Sequence, residues 1–166
     1  MKEIPLAGGL MALVDDEDYE LVSKYSWWAA PDRRTVYARA YIRGSSPREK
    51  YVRMHRLILN APKGLQVDHK NLNGLDCRRD NLRFATNSQN QANGKKYSTS
   101  SKGAPTSRYK GVGWHKVMKA WSARVQINER TVVLGYFASE TDAALAYNKA
   151  ASEYYGEFAR LNVVEA

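Results

Sequence analysis

Hydrophobic and polar positions change rhythm along this chain, and each change marks an element. Residues 4–14 are apolar and punctuated by glycine. Asp15-Asp16-Glu17-Asp18 then opens a short helix, because acidic side chains suit the positive end of a helix dipole. Ser26-Trp27-Trp28-Ala29 and residues 35–41 are aromatic and β-branched, which predicts strands. Residues 1–54 therefore read as a small sheet with a helix. Residues 64–69 predict a strand entering a loop, Asn71-Leu72-Asn73-Gly74 is turn chemistry, and residues 81–85 predict the return strand. Thr86 with Gln89 forms a capping box, so a short helix carrying Asn90 follows and stops near Gly94. The pattern over 55–93 is strand, loop, strand, helix.

Residues 94–108 are rich in Ser, Lys and Gly and show no apolar period, which marks a basic linker. Beyond it come three strand patterns, at 111–116, 120–128 and 131–137, with Asn128-Glu129 at the second turn. Ser139 caps a helix with Asp142 at its third position, and Gly156 closes it. Ala143, Ala144, Ala146, Ala150 and Ala151 let that helix approach a sheet closely. The fold class is α+β: a small N-terminal sheet and a strand–loop–strand–helix unit over 1–93, then a linker over 94–108. Over 109–166 it ends in a three-stranded antiparallel sheet packed on one helix.

Charge sharpens this picture. The chain carries a formal +9 with a sequence pI near 9.7, which points to a polyanionic partner. Residues 1–32 hold two basic and seven acidic residues, 33–56 hold eight and one, and 94–130 hold nine and one. Basic charge in two blocks predicts two contact surfaces. With 43% hydrophobic residues, four Trp and eleven Tyr, aromatic cores are affordable on either side of the linker. The single cysteine, Cys77, excludes a disulfide framework and a paired-cysteine zinc site; it reads as a passive loop or core residue of a cytosolic protein. No apolar run approaches the ~18 residues of a membrane span, and the first residues do not read as a signal peptide.

The chemistry concentrates in Val67-Asp68-His69, followed by Asn81 after 12 residues and Asn90 after 9 more. Asp68 offers a carboxylate to a metal, and His69 offers a general base beside it. An amide a short loop later can hold the base, and a second on a helix can complete the metal site. That set can hydrolyse a phosphodiester with one divalent ion.

Met54-His55-Arg56-Leu57-Ile58-Leu59, Val67 to Asp76, Asn81-Leu82-Arg83 and Ser88-Gln89-Asn90 occur in the order of the HNH, or ββα-metal, nucleases. Over 55–93 the chain resembles that family, and its spacing is most like the phage intron-encoded homing endonucleases. The resemblance implies Asp68 as metal ligand, His69 as base and Asn81 as the amide that orients the His69 ring. Asn90 stands where many members have histidine. An amide oxygen suits Mg2+ or Mn2+ better than Zn2+, so one Mg2+ or Mn2+ held by Asp68 and Asn90 is expected. Products would carry 5′-phosphate and 3′-hydroxyl ends. His55 is expected to pack against the site. Arg39, Arg43 and Arg53 in the first basic block, and Arg83 beside Asn81, are candidate DNA contacts.

Tyr109-Lys110-Gly111-Val112, residues 121–125, Leu134-Gly135-Tyr136-Phe137, residues 143–147 and Leu161-Asn162 are similar to the plant ethylene-response-factor (Apetala-type) DNA-binding domain. That resemblance implies a three-stranded sheet laid in the major groove with a helix behind. Alternation then turns Ala123, Val125 and Ile127 to the helix. It turns Arg124, Gln126 and Asn128 to DNA, with His115 and Lys116; Lys110, Lys119 and Arg130 would take phosphates. Gly113 and His115 stand where arginine is expected. Trp114 and Trp121 read as core. The expected whole is a metal-dependent endonuclease of phage or mobile-element type, nicking double-stranded DNA as a monomer in the host cytoplasm. The alternative is a non-cutting DNA-binding regulator with a retained nuclease fold; intact Asp68, His69, Asn81 and Asn90 favour the enzyme.

Overall fold

The structure is a computed structural model that describes residues 1–32, 35–42, 51–96, 106–128 and 130–164. Arg43 and most of the expected linker lie outside the described residues. The fold is α+β, built of small antiparallel sheets and few helices. It divides into two compact units, Met1–Thr86 and Asn87–Ala166.

In the first unit β1 (Lys2–Pro5) and β2 (Met11–Val14) form a hairpin, so the glycine-punctuated start of the chain is a turn between two strands. The acidic run forms a short 3-10 turn, Asp16–Asp18, ahead of α1 (Tyr19–Val22). Next, β3 (Trp27–Asp32), β4 (Thr35–Tyr41) and β5 (Tyr51–Arg53) pair in sequence order. A five-residue helix, α2 (Met54–Ile58), follows directly. The hairpin of β6 (Gln66–His69) and β7 (Leu82–Ala85) completes the unit.

One hydrophobic core joins these pieces. Ala12 and Val14 from β2, Val22 from α1, Ala38 and Ala40 from β4, Met54 from α2 and Cys77 from the loop are wholly buried in it. β2 also grips the loop between β6 and β7: Leu13 N donates to Leu75 O at 2.8 Å, and Cys77 N donates to Leu13 O at 2.8 Å. Gly74 lies so close to β4 that a Cβ there would fall 2.5 Å from Val36 O and 2.7 Å from the Tyr37 ring. Any side chain at 74 would push this loop off the sheet.

The second unit opens with α3 (Asn87–Asn93), the helix that the sequence pattern attaches to the preceding hairpin. Then β8 (Val112–His115), β9 (Ala120–Ile127) and β10 (Arg130–Phe137) form an antiparallel sheet in the order β10-β9-β8. α4 (Glu140–Tyr155) packs on it through buried Ala143, Ala144, Tyr147 and Ala151. Ser139 caps α4, its Oγ accepting from Asp142 N at 3.0 Å. At Gly111 (φ 75°) a Cβ would overlap the Tyr147 ring, so sheet and helix meet only because that residue is glycine.

Candidate active site and the outer sheet face

The β6–β7 hairpin carries the Asp-His pair at the end of its first strand. Alternation on a strand sends Asp68 and His69 to opposite faces, yet both are buried, at 2% and 5% exposure. Asp68 faces Arg83 across the ladder, and His69 pairs with Leu82. Arg83 donates to Asp68 Oδ2 from Nε at 2.9 Å and lies at 2.8 Å through Nη2. Arg83 is therefore the ionic partner of the carboxylate, not a solvated strand residue.

The imidazoles of His55 and His69 stand edge to face with centroids 4.8 Å apart, and the Tyr37 ring lies 5.1 Å and 5.7 Å from them. Burial dominates their protonation. It pushes His69 down to about 4, although Asp68 and Asp76 pull the other way. His55 falls well below the usual histidine range, first through burial and then through the charges of His69, Arg53 and Arg56. Both rings are neutral at pH 7, and a neutral imidazole can accept a proton. His55 Nδ1 is buried and makes no hydrogen bond among the described residues.

The Asn81 amide bonds within the loop that follows His69. Its Nδ2 donates to Asp76 O at 2.7 Å, and its Oδ1 accepts from Asn71 N at 3.0 Å. Lys70 N donates to Asn81 O at 2.9 Å. The amide clamps the loop over 70–81, whose backbone groups need partners once buried. The loop is braced again by Asp76, which accepts from Arg78 at 2.8 and 2.7 Å and from Asn71 at 2.8 Å. These donors, Arg78 first, hold the Asp76 carboxyl below its ordinary range.

Two donor sets could meet a metal. Ligand atoms of His55, His69 and Cys77 lie within 4.8 Å of one another, all buried. The Cys77 thiol, however, is pushed up to about 12, chiefly by burial, and its Sγ lies 3.9 Å from Gly74 O. A protonated thiol is a poor ligand. Asp68 fits better: an anionic oxygen donor that already holds a cation, the Arg83 guanidinium, suits a hard ion such as Mg2+ or Mn2+. Asn90 lies on α3 in the second unit.

Several expected DNA contacts are engaged inside the protein. Arg39 and Arg53 both approach Asp32, at 3.7 and 3.6 Å, and their guanidinium groups cover the rings of Tyr51 and Tyr37. Lys110 Nζ donates to the carbonyls of Gln91, Ala92 and Gly94, closing the C-terminus of α3. Its ammonium is committed to those carbonyls, where a phosphate contact was expected. Lys96 likewise serves the carbonyls of Ser107, Tyr109 and Val112, and both lysines line a pocket of about 350 Å³ with Arg108 and Arg160.

The outer face of the second sheet differs. Ala123 and Val125 are buried towards α4 and Ile127 packs there in part, while Arg124, Gln126 and Asn128 are exposed. Lys116, Lys119 and Arg130 are exposed as well. Gln126 accepts from the Thr131 hydroxyl at 3.1 Å, and the half-buried His115 ring meets Tyr136 across the sheet at 5.1 Å. Trp121 is half-buried as core, but Trp114, on the edge strand, is 41% exposed and meets Trp121 edge-on. Asn162, which closes the expected domain pattern, joins Lys110 and Asn148 through backbone and amide bonds of 2.7–3.1 Å.

A buried Asp-His step on a braced β-hairpin, with a neutral imidazole one residue after a carboxylate, matches the class of HNH endonuclease domains. The family model described as HNH endonuclease matches residues 60–92, which hold the hairpin, its loop and Asn90. The chain is also 31% identical over 160 residues to an uncharacterised HNH endonuclease, L560, of Acanthamoeba polyphaga mimivirus, covering 95% of this chain and 77% of that one. The chain belongs to the HNH endonuclease family. No solved structure matches it.

Proposed function

We propose that this protein is a divalent-metal-dependent endonuclease that hydrolyses one strand of double-stranded DNA, anchored by its C-terminal region. The observation that carries the reading is His69: buried, neutral at pH 7 and next to the Asp68 carboxylate. His69 takes the proton of the attacking water. Asp68 would hold Mg2+ or Mn2+, and the expectation that Asn90 adds a second ligand rests on sequence spacing. When bound, the ion supplies neutralisation of the charge that grows on the phosphate and the leaving oxygen. Asn81 and Asp76 keep the loop after His69 in shape, and His55 and Tyr37 wall the base from solvent.

The sheet β10-β9-β8 is the anchor in this reading. Its exposed Arg124 and Gln126 have the donors to read base edges, and Lys116, Lys119 and Arg130 have the charge for phosphates. The boundaries proposed from sequence, nuclease over 1–93 and anchor over 109–166, express the same division of labour. Among the described residues no helix is long and apolar enough to cross a membrane; a host-cytoplasmic enzyme of phage or mobile-element type is part of the proposal.

One Asp-His pair per chain cuts one strand at a time, so a monomer nicks. The test follows supercoiled plasmid carrying cleavable sites with Mg2+ or with chelator, while sedimentation gives the species present. Open circle accumulating only with Mg2+, from a monomer, is expected. Cutting in chelator, or direct conversion to linear DNA by a stable dimer, would overturn the corresponding part.

A further inference from the structure

Asp68 and Arg83 stand directly opposite each other on β6 and β7. Two nitrogens of the guanidinium, Nε at 2.9 Å and Nη2 at 2.8 Å, converge on a single carboxylate oxygen, Oδ2. Both side chains are withdrawn from water, Asp68 at 2% exposure and Arg83 at 11%. Charge-assisted bonds of this length are strong, and low polarity around them strengthens them further.

We propose that Arg83 is an exchangeable counter-ion for Asp68. It holds the carboxylate until a divalent cation takes it, and the released guanidinium then takes a phosphate oxygen of the DNA. The proposal rests on the reading of Asp68 as the metal carboxylate. A Mg2+ or Mn2+ bonds an oxygen at about 2.1 Å. A guanidinium on that same oxygen would then face a double positive charge a few ångströms away, with little water to screen it. Arg83 and the ion therefore compete for Asp68 while DNA is absent. A phosphate ends the competition, because its oxygens match the planar guanidinium fork. Metal and DNA then bind with positive coupling, and by linkage each tightens the other equally. The site so arranged stays nearly metal-free until substrate arrives.

The test uses the full chain, without DNA, and Mn2+ as probe, with free Mn2+ counted by electron paramagnetic resonance. Arg83→Gln should bind Mn2+ at least about tenfold more tightly than the parent, within the usual span of coupling. Arg83→Lys, which keeps the charge, should stay near the parent. Adding Asp68→Asn to Arg83→Gln should erase the gain. Equal or weaker binding by Arg83→Gln overturns the exchange while leaving the metal role of Asp68 in place. A gain that survives Asp68→Asn overturns that role as well. Should Arg83→Gln fail to fold, the slow-cutting His69→Ala chain is titrated with Mn2+ with and without a mixed-sequence duplex. Tighter Mn2+ binding with the duplex supports the exchange, and unchanged binding overturns it.

Discussion

Among the described residues the two units place key charges differently. The first pairs carboxylates with arginines: Asp68 with Arg83, Asp76 with Arg78, Asp18 with Arg79, and Asp32 with Arg39 and Arg53. The second leaves Arg124, Lys116, Lys119 and Arg130 exposed, and its half-buried Lys96 and Lys110 serve backbone carbonyls. A basic block in sequence is therefore not the same as a basic surface. Arg39 and Arg53 of the first block already share Asp32 as a partner, while Arg124 and Arg130 of the second sheet are exposed. The proposed function gives chemistry to the first unit and grip to the second, and the following measurements test that division.

The largest effect belongs to His69. His69→Ala should lose about 10²–10⁴-fold in cleavage rate, the usual contribution of a general base, with DNA binding kept. A variant that cuts as fast as the parent would remove His69 from the mechanism.

Next comes the response of stability to acid. Burial holds His69 at about 4, against an ordinary value near ~6.5. Between these values the unfolded chain binds a proton that the folded chain refuses. Stability is thus fully present above about pH 6.5 and is lost as pH falls through about 4, by on the order of 3 kcal/mol from His69. Urea unfolding of the metal-free chain at pH 7, 5.5 and 4 reads this directly. His69→Gln should flatten the dependence; an identical slope would mean that other groups carry it.

Arg79→Ala is expected to cost about 1–3 kcal/mol, because it leaves a buried carboxylate without its cation. Arg79 bonds Asp18 at 2.8 and 2.7 Å, and the Asp18 side chain is 3% exposed. Urea titration at neutral pH is the check, and DNA affinity per folded molecule should not move. Arg124→Ala sits at the other pole. Stability should change by less than about 0.5 kcal/mol, as for an ordinary surface position. Discrimination between DNA sequences should fall by about 1–2 kcal/mol, with a shallower salt dependence of binding. Competition binding at two salt concentrations measures both.

What was legible in the sequence follows the range of the interactions. The Ser139 cap, the alanine face of α4 and the alternation of Arg124 with Val125 depend on neighbours a few residues away, and all three appear as expected. The Asp68-His69 step was visible for the same reason. α2 escaped because five residues are too few to show a helical period. The tasks of Asn81, Arg79 and Lys110 escaped because their partners lie across turns or far along the chain, at Asp76, Asp18 and the end of α3. Tyr37 and Cys77 beside the two histidines carried no local signal; only the packing of β4 and of the loop over α2 brings them there.

Cutting and holding are separable in this molecule if the two units divide the work as proposed. Single-turnover cleavage and binding are recorded on the same DNA for the parent, His69→Ala and Arg124→Ala over a range of protein concentration. His69→Ala should bind like the parent but cut about 10²–10⁴-fold more slowly. Arg124→Ala should bind more weakly yet reach the parent's rate when DNA is saturated. A lowered saturated rate for Arg124→Ala with unchanged binding, or loss of binding in His69→Ala, would contradict it.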